Sequence, residues 1–168
     1  DLMTIATVAS IVNKNGIDYD DIMNEFINWA VRDEYTNSRS GTLDMGNTTR
    51  QSLENYYNGT PALESGGRGE RDNGNGSLMR ILPLAYIKDI DYESIENISA
   101  LTHGHKRSKI ACVLYVEIAK SMLENDLKIQ EHIELACNKI KEYYKDSEEL
   151  KHFERIFNND LNDLSSKG

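Results

Sequence analysis

Three short polar segments contain residues whose types and spacing can do chemistry. In the first, Gly41-Thr42-Leu43-Asp44-Met45-Gly46-Asn47, a carboxylate and an amide lie three residues apart with Gly46 between them. From one loop both can point at one ligand. An Asx turn running into a helix cap at Asn47 explains the same residues more simply. The second segment, from Arg71 through Asp72-Asn73-Gly74-Asn75-Gly76-Ser77 to Arg80, runs glycines and small polar residues into a predicted helix start. Free N–H groups and the positive dipole end there suit an anion. Glycine also lets the main chain approach a phosphate with no Cβ in the way. Neither Gly-Lys-Ser/Thr nor Gly-x-Gly-x-x-Gly occurs, so this is not a nucleotide P-loop or a dinucleotide fingerprint. A flexible turn with a serine cap is the alternative. In the third segment, Leu101-Thr102-His103-Gly104-His105-Lys106, two histidines flank a glycine between two helices. A zinc site would need further ligands, and no Cys or His pair lies near. That leaves hydrogen bonding to a polar ligand, or a histidine cap at a C-terminal dipole end.

The elements that position these segments read as helices throughout. Residues 2–14 are apolar on nearly every side, which predicts a helix buried all round, and Asn15-Gly16 stops it. Asp18 or Asp20 can cap the next helix, whose Ile22, Phe26, Trp29 and Ala30 fall at helical spacing. Residues 34–46 form a polar loop, and Asn47-Thr48-Thr49 caps a short helix ending at Asn58-Gly59. Six of the 11 glycines then lie between Gly59 and Gly76, a stretch that fits a mobile surface loop and a ligand loop equally. Pro83 should kink or interrupt a helix running from Leu78 to Ile87. Further helices cover residues 91–102, 106–124 and 128–145, and a last one takes Leu150, Phe153, Ile156 and Phe157. Cys112 and Cys137 fall on apolar stripes and read as buried small hydrophobes. His132 and His152 fall on polar faces and read as solvated. No run alternates with period two, so the predicted class is all-α, in a single domain over 1–168.

Composition narrows the partners. The 168 residues carry 28 acidic and 19 basic side chains, a formal net charge of −9. DNA and anionic membranes both need a basic footprint, so neither is expected as a partner. No apolar run reaches the ~18 residues of a membrane span, and no signal peptide pattern is present. Two cysteines without a Cys-x-x-Cys pattern point to a reducing, cytoplasmic compartment. The chain opens on Asp1 and goes directly into an apolar helix, whereas natural termini are usually polar. It therefore reads as an internal piece of a longer protein, truncated at both ends.

Taken in order, Asp-x-Gly-Asn, then Gly-Asn-Gly-Ser-Leu-Met-Arg-Ile-x-Pro-Leu, then Leu-Thr-His-x-His resembles the ADP-ribosylglycohydrolase family, in its dinitrogenase-reductase-activating form. The resemblance covers most of residues 1–125. It implies an all-α fold, a compact orthogonal multi-helix bundle, around two metal ions, Mg²⁺ or Mn²⁺. It also implies hydrolysis of the bond joining ADP-ribose to a protein side chain or to another ADP-ribose. Carried over by position, Asp44 and Asn47 face the ribose and the reacting centre. Asn73, Gly74, Asn75, Gly76 and Ser77 cradle the pyrophosphate and adjoining ribose, and His103, with His105, contacts the ligand. The partner implied is ADP-ribose or an ADP-ribosylated protein. The family's acidic metal-binding runs are matched by only one residue here: Asp1 falls at, or just past, the end of the first, and no Asp-x-Asp-Thr occurs. A non-catalytic relative that binds ADP-ribose or only keeps the fold is the second reading, and a plain helical interaction module the third.

Overall fold

The computed structural model describes residues 2–32 and 45–160. Asp1 and Asp44 therefore lie outside the described residues, as does most of the expected loop at 34–46. The described residues form an all-α fold. Helix α1 spans Leu2–Lys14 and is closed by Asn15, which itself adopts the left-handed conformation (φ 51°) while Gly16 N–H donates to the Ile11 carbonyl. Helix α2, Tyr19–Arg32, is capped by Asp18, whose carboxylate accepts from the Asp21 N–H at 3.0 Å. Its Ile22, Met23 and Phe26 are fully buried. The expectation that α1 is buried all round fails. Only Met3, Ala6, Thr7 and Ser10 are buried, and Ile5, Val8 and Val12 are exposed. The inward stripe is small and partly polar, and Ser10 donates to Asp21 of α2 at 2.6 Å. Burying the small residues lets the two helices approach closely and leaves the branched ones outside.

Helix α3 spans Asn47–Tyr57. Its N-cap is Gly46, without a side-chain cap, so Asn47 is the first helical residue and not the cap. Gly59, at φ 102°, turns the chain away at the other end. No α-helix follows until residue 92. The stretch is built from short 3₁₀ turns at Ala62–Glu64, Glu70–Asp72, Leu78–Arg80 and Leu82–Tyr86. The helix over Leu78–Ile87 is thus interrupted, as two 3₁₀ turns, because Pro83 cannot donate the hydrogen bond an α-helix needs there.

Helix α4, Tyr92–Ala100, is capped by Asp91, whose carboxylate accepts from Ser94 N–H at 2.9 Å. Helix α5, Lys106–Glu124, packs against α4, against α6 (Ile129–Tyr143) and against the Leu82–Tyr86 turn. A 3₁₀ turn at Glu148–Phe153 and the short α7, Glu154–Phe157, complete the described chain. The core runs through Phe26, Ile81, Leu84, Ile95, Ile98 and Val113. Cys112 and Cys137 are free and buried within it, as expected. His132 is not solvated. It is buried, and its Nδ1 lies 2.8 Å from Ser121 Oγ across the α5–α6 contact. No described helix is long and apolar enough to cross a membrane.

The glycine-rich stretch is locked to the chain that follows α4. Gly67 and His103 form an isolated parallel bridge, in which Gly67 N–H donates to the Thr102 carbonyl at 3.2 Å and Gly104 N–H to the Gly67 carbonyl at 2.8 Å. Gly66 is buried, and a Cβ there would sit 2.1 Å from the Ala100 carbonyl oxygen. Only glycine permits that approach. Gly66→Ala is expected to lower stability by about 3 kcal/mol, the upper end of overpacking costs, because the atoms met are backbone. Urea unfolding of the two proteins measures it, and an unchanged midpoint would show that the contact does not hold.

Candidate functional site

The second and third polar segments meet. The His103 ring, only 2% exposed, lies against the main chain of Gly74-Asn75-Gly76. A Cβ at Gly76 would fall 2.6 Å from His103 Cε1 and 3.2 Å from Nε2, and one at Gly74 3.6 Å from Nε2. The same Gly76 position lies 3.2 Å from Thr49 Oγ1, so the first turn of α3 reaches this point too. Glycine at 76 is a packing requirement of the ring. Beside it, Asp72 accepts from Gly69 N–H at 2.9 Å, and Thr48 Oγ lies 3.5 Å from its other oxygen.

Two buried polar chains support His103 from behind. In one, Arg80 Nη2 donates to the Ile98 carbonyl at 2.9 Å and to Thr102 Oγ1 at 2.7 Å, and Thr102 Oγ1 lies 2.8 Å from His103 Nδ1. Arg80 is fully buried, with its guanidinium carbon 5.0 Å from the centre of the Phe26 ring. Burial lowers its pKa, to about 10. In the other, Ser99 Oγ lies 3.1 Å from the His103 carbonyl and 3.0 Å from Ser77 Oγ, and the Cys112 thiol donates to Ser77 Oγ at 3.4 Å. Each hydroxyl has one proton. With Ser99 donating to the carbonyl, Ser77 donates to Ser99, and every member is satisfied. Burial also pushes the Cys112 thiol up, so it stays protonated in this chain.

The expected site residues therefore divide. Gly74, Gly76 and His103 are brought together, and Asn75 is exposed at the tip of the same turn. Ser77 is buried with its hydroxyl turned inward, leaving only its backbone toward the loop. Asn73 is a clamp: its amide donates to the Glu70 carbonyl at 3.1 Å, and its oxygen accepts from Ser108 of α5 at 2.9 Å. Asn47 is exposed at the start of α3. His105 caps the N-terminus of α5, its Nδ1 accepting from Arg107 N–H at 3.1 Å, and its Nε2 lies 3.4 Å from Glu70. The cap is thus at a helix start, not at a C-terminal dipole end. His152, read as solvated, holds Arg107 Nη2 at 2.8 Å. Arg107 in turn bridges Glu70 at 2.8 Å and Glu149 at 2.9 Å. A cavity of about 230 Å³ opens along this flank, lined by Asn73, Gly74, Asn75, Ser77, Arg107 and His152 among others.

Arg80, Thr102, Thr49 and Arg107 were missed in the sequence. Arg80 alone had a signal, as a single cation in the run Leu78-Met79-Arg80-Ile81-Leu82. A charge there is either snorkelling or buried with partners.

A family model, ADP-ribosylglycohydrolase, matches residues 2–166. The chain belongs to that family. No curated protein and no solved structure matches it. Among the described residues of this ADP-ribosylglycohydrolase chain, no three His, Cys, Asp or Glu side chains gather closely enough to hold a metal ion. Asp72 and Glu70 are engaged by Gly69 and Arg107 instead. The described residues do not fit the two-ion centre that family resemblance implies.

The pKa of His103 falls to about 4, chiefly through burial and next through the Arg80 cation, with Asp72 opposing. The imidazole is neutral at pH 7. Between about 4 and 6.5 the unfolded chain binds this proton and the folded one does not, so stability is full above pH 6.5 and drops as pH falls toward 4. The loss is expected to be on the order of 3 kcal/mol. Urea unfolding at pH 7 and pH 5 should show a steeper loss in the wild type than in His103→Gln, and equal losses would refute the burial of a neutral His103.

Proposed function

We propose that this chain holds ADP-ribose and belongs to an enzyme that hydrolyses the glycosidic bond between ADP-ribose and a protein side chain or a second ADP-ribose. The observation carrying this reading is the seating of His103 on the Gly74–Gly76 main chain beside the first turn of α3. Three kinds of uncharged donor converge there: loop N–H groups, the start of an eleven-residue helix, and an imidazole. That suits a diphosphate in a chain of net charge −9, since the positive field comes from backbone dipoles and not from lysines.

In the reaction, a water oxygen attacks the anomeric carbon of the ribose, the bond to the acceptor nitrogen or oxygen breaks, and the acceptor leaves with a proton. Asp44, three residues ahead of Asn47 in the chain, takes the water's proton or orients it. Gly74, Asn75 and Gly76 with His103 hold the diphosphate, and Asn47 contacts the ribose. The Mg²⁺ or Mn²⁺ ions that the family resemblance implies would draw ligands from beyond the described residues, Asp1 among the candidates.

Calorimetric titration of ADP-ribose into the chain tests the binding half. Saturable binding that Asn75→Ala weakens and His103→Ala abolishes is expected, and no binding would overturn this site. Where ADP-ribose release from a modified protein is measured, Asp44→Asn is expected to lower turnover by roughly 10²–10⁴ while ADP-ribose still binds. Unchanged turnover would exclude Asp44 as the base. Binding with no release by the intact protein would instead favour a non-catalytic ADP-ribose-binding relative.

A further inference from the structure

We propose that Arg80 is a positioning residue: acting through Thr102, it fixes His103 as a neutral imidazole with its proton on Nε2, presented to a ligand at the Gly74–Gly76 turn. The argument is a count of protons. Arg80 can only donate, and Nη2 spends its two hydrogens on the Ile98 carbonyl and Thr102 Oγ1. Thr102 Oγ1 has a single hydrogen and lies 2.8 Å from His103 Nδ1. If Nδ1 carried the proton and donated to Thr102, the threonine hydrogen would need another acceptor, and none stands within reach among the described residues. An orphaned hydroxyl hydrogen in a fully buried residue is costly. Thr102 therefore donates to Nδ1, and the imidazole proton resides on Nε2. That nitrogen has no hydrogen-bond partner among the described residues, and it faces the glycine turn.

The geometry also explains why an arginine occupies the position. A carboxylate behind Thr102 would accept the hydroxyl proton and turn Nδ1 into the donor, aiming a lone pair at the turn. A permanent cation sends the relay the opposite way and keeps the ring from charging. The ring is anchored from the other side as well: His103 N–H donates to the Ser99 carbonyl at 2.8 Å, and the Thr102 carbonyl accepts from Ser52 Oγ at 2.8 Å. With the backbone held at both residues, the tautomer is the remaining degree of freedom, and Arg80 settles it.

The inference rests on the ADP-ribose reading for its ligand but not for its tautomer, so the two fail separately. Long-range ¹H–¹⁵N spectra of the full chain at pH 7 read the tautomer without ligand. The expected pattern is an unprotonated Nδ1 and a protonated Nε2 in the wild type and in Thr102→Ser, with mixed tautomers in Thr102→Val. A protonated Nδ1 in the wild type, or an unchanged pattern in Thr102→Val, would overturn the proposal. Arg80→Met is the direct variant but empties a core position, so the Thr102 pair carries the test if Arg80→Met does not fold. Titration with ADP-ribose should then show affinity reduced roughly three- to tenfold in Thr102→Val and restored in Thr102→Ser, the loss of one hydrogen bond. Equal affinity in Thr102→Val would overturn the presentation of Nε2 to the ligand. If the wild type binds no ADP-ribose while its tautomer is as expected, the proposed ligand is wrong and the relay stands.

Discussion

A fully buried guanidinium organises this part of the molecule. Arg80 is completely buried, and no carboxylate pairs with it among the described residues. Its Nε and Nη1 make no hydrogen bond there. Burying an unpaired cation is expensive unless its surroundings carry compensating partial charge. Here that charge comes from the Ile98 carbonyl in the last turn of α4, the negative end of a helix dipole, from the Thr102 hydroxyl, and from the face of Phe26 in α2. Three separate elements must therefore be in register around one side chain. Moving any of them by an ångström would strand the charge.

That constraint reaches the candidate site through Thr102. The bend after α4 is hydrogen-bonded to Gly67 on one side and to Ser52 of α3 on the other, while its next residue, His103, roofs the glycine turn. The glycines then serve different purposes. Gly66 gives way to backbone, Gly67 to the Asp72 side chain, and Gly76 to an imidazole. A stretch that composition describes as loose is thus held by close contacts, each needing the absence of a Cβ. The hydroxyls and thiol behind it, Ser77, Ser99 and Cys112, form a closed set of hydrogen bonds that leaves only main chain and Nε2 facing outward.

Much of the helical architecture was legible in the sequence because amphipathic periodicity is a local signal. Helix α5 spans the expected residues 106–124, and Asp18, one of the two expected caps, closes the start of α2. Errors arose where local rules compete with packing. The apolar α1 buried only one stripe, and His132 found a serine on the neighbouring helix. In the site, the ordered motifs pointed to His103 and the glycine turn, which do meet. They did not separate Asn73 and Ser77, whose side chains face other protein groups, from Asn75, whose side chain does not. That distinction depends on Ser108 and Cys112, which lie some thirty-five residues away in sequence.

The division between inward and outward groups has a chemical consequence. The diphosphate of the proposed ligand would bring two negative charges to a protein already at −9, and a charged histidine would be the obvious attraction. Yet burial and the Arg80 cation hold His103 neutral. A neutral donor attracts less strongly, but the ring keeps one proton and no charge above about pH 5, well clear of a pKa near 4. Positive charge is present one layer back in Arg80, where it polarises Thr102 and through it the imidazole. The His103 ring is thus oriented by a buried cation one layer behind it, while the ring itself stays a neutral dipole.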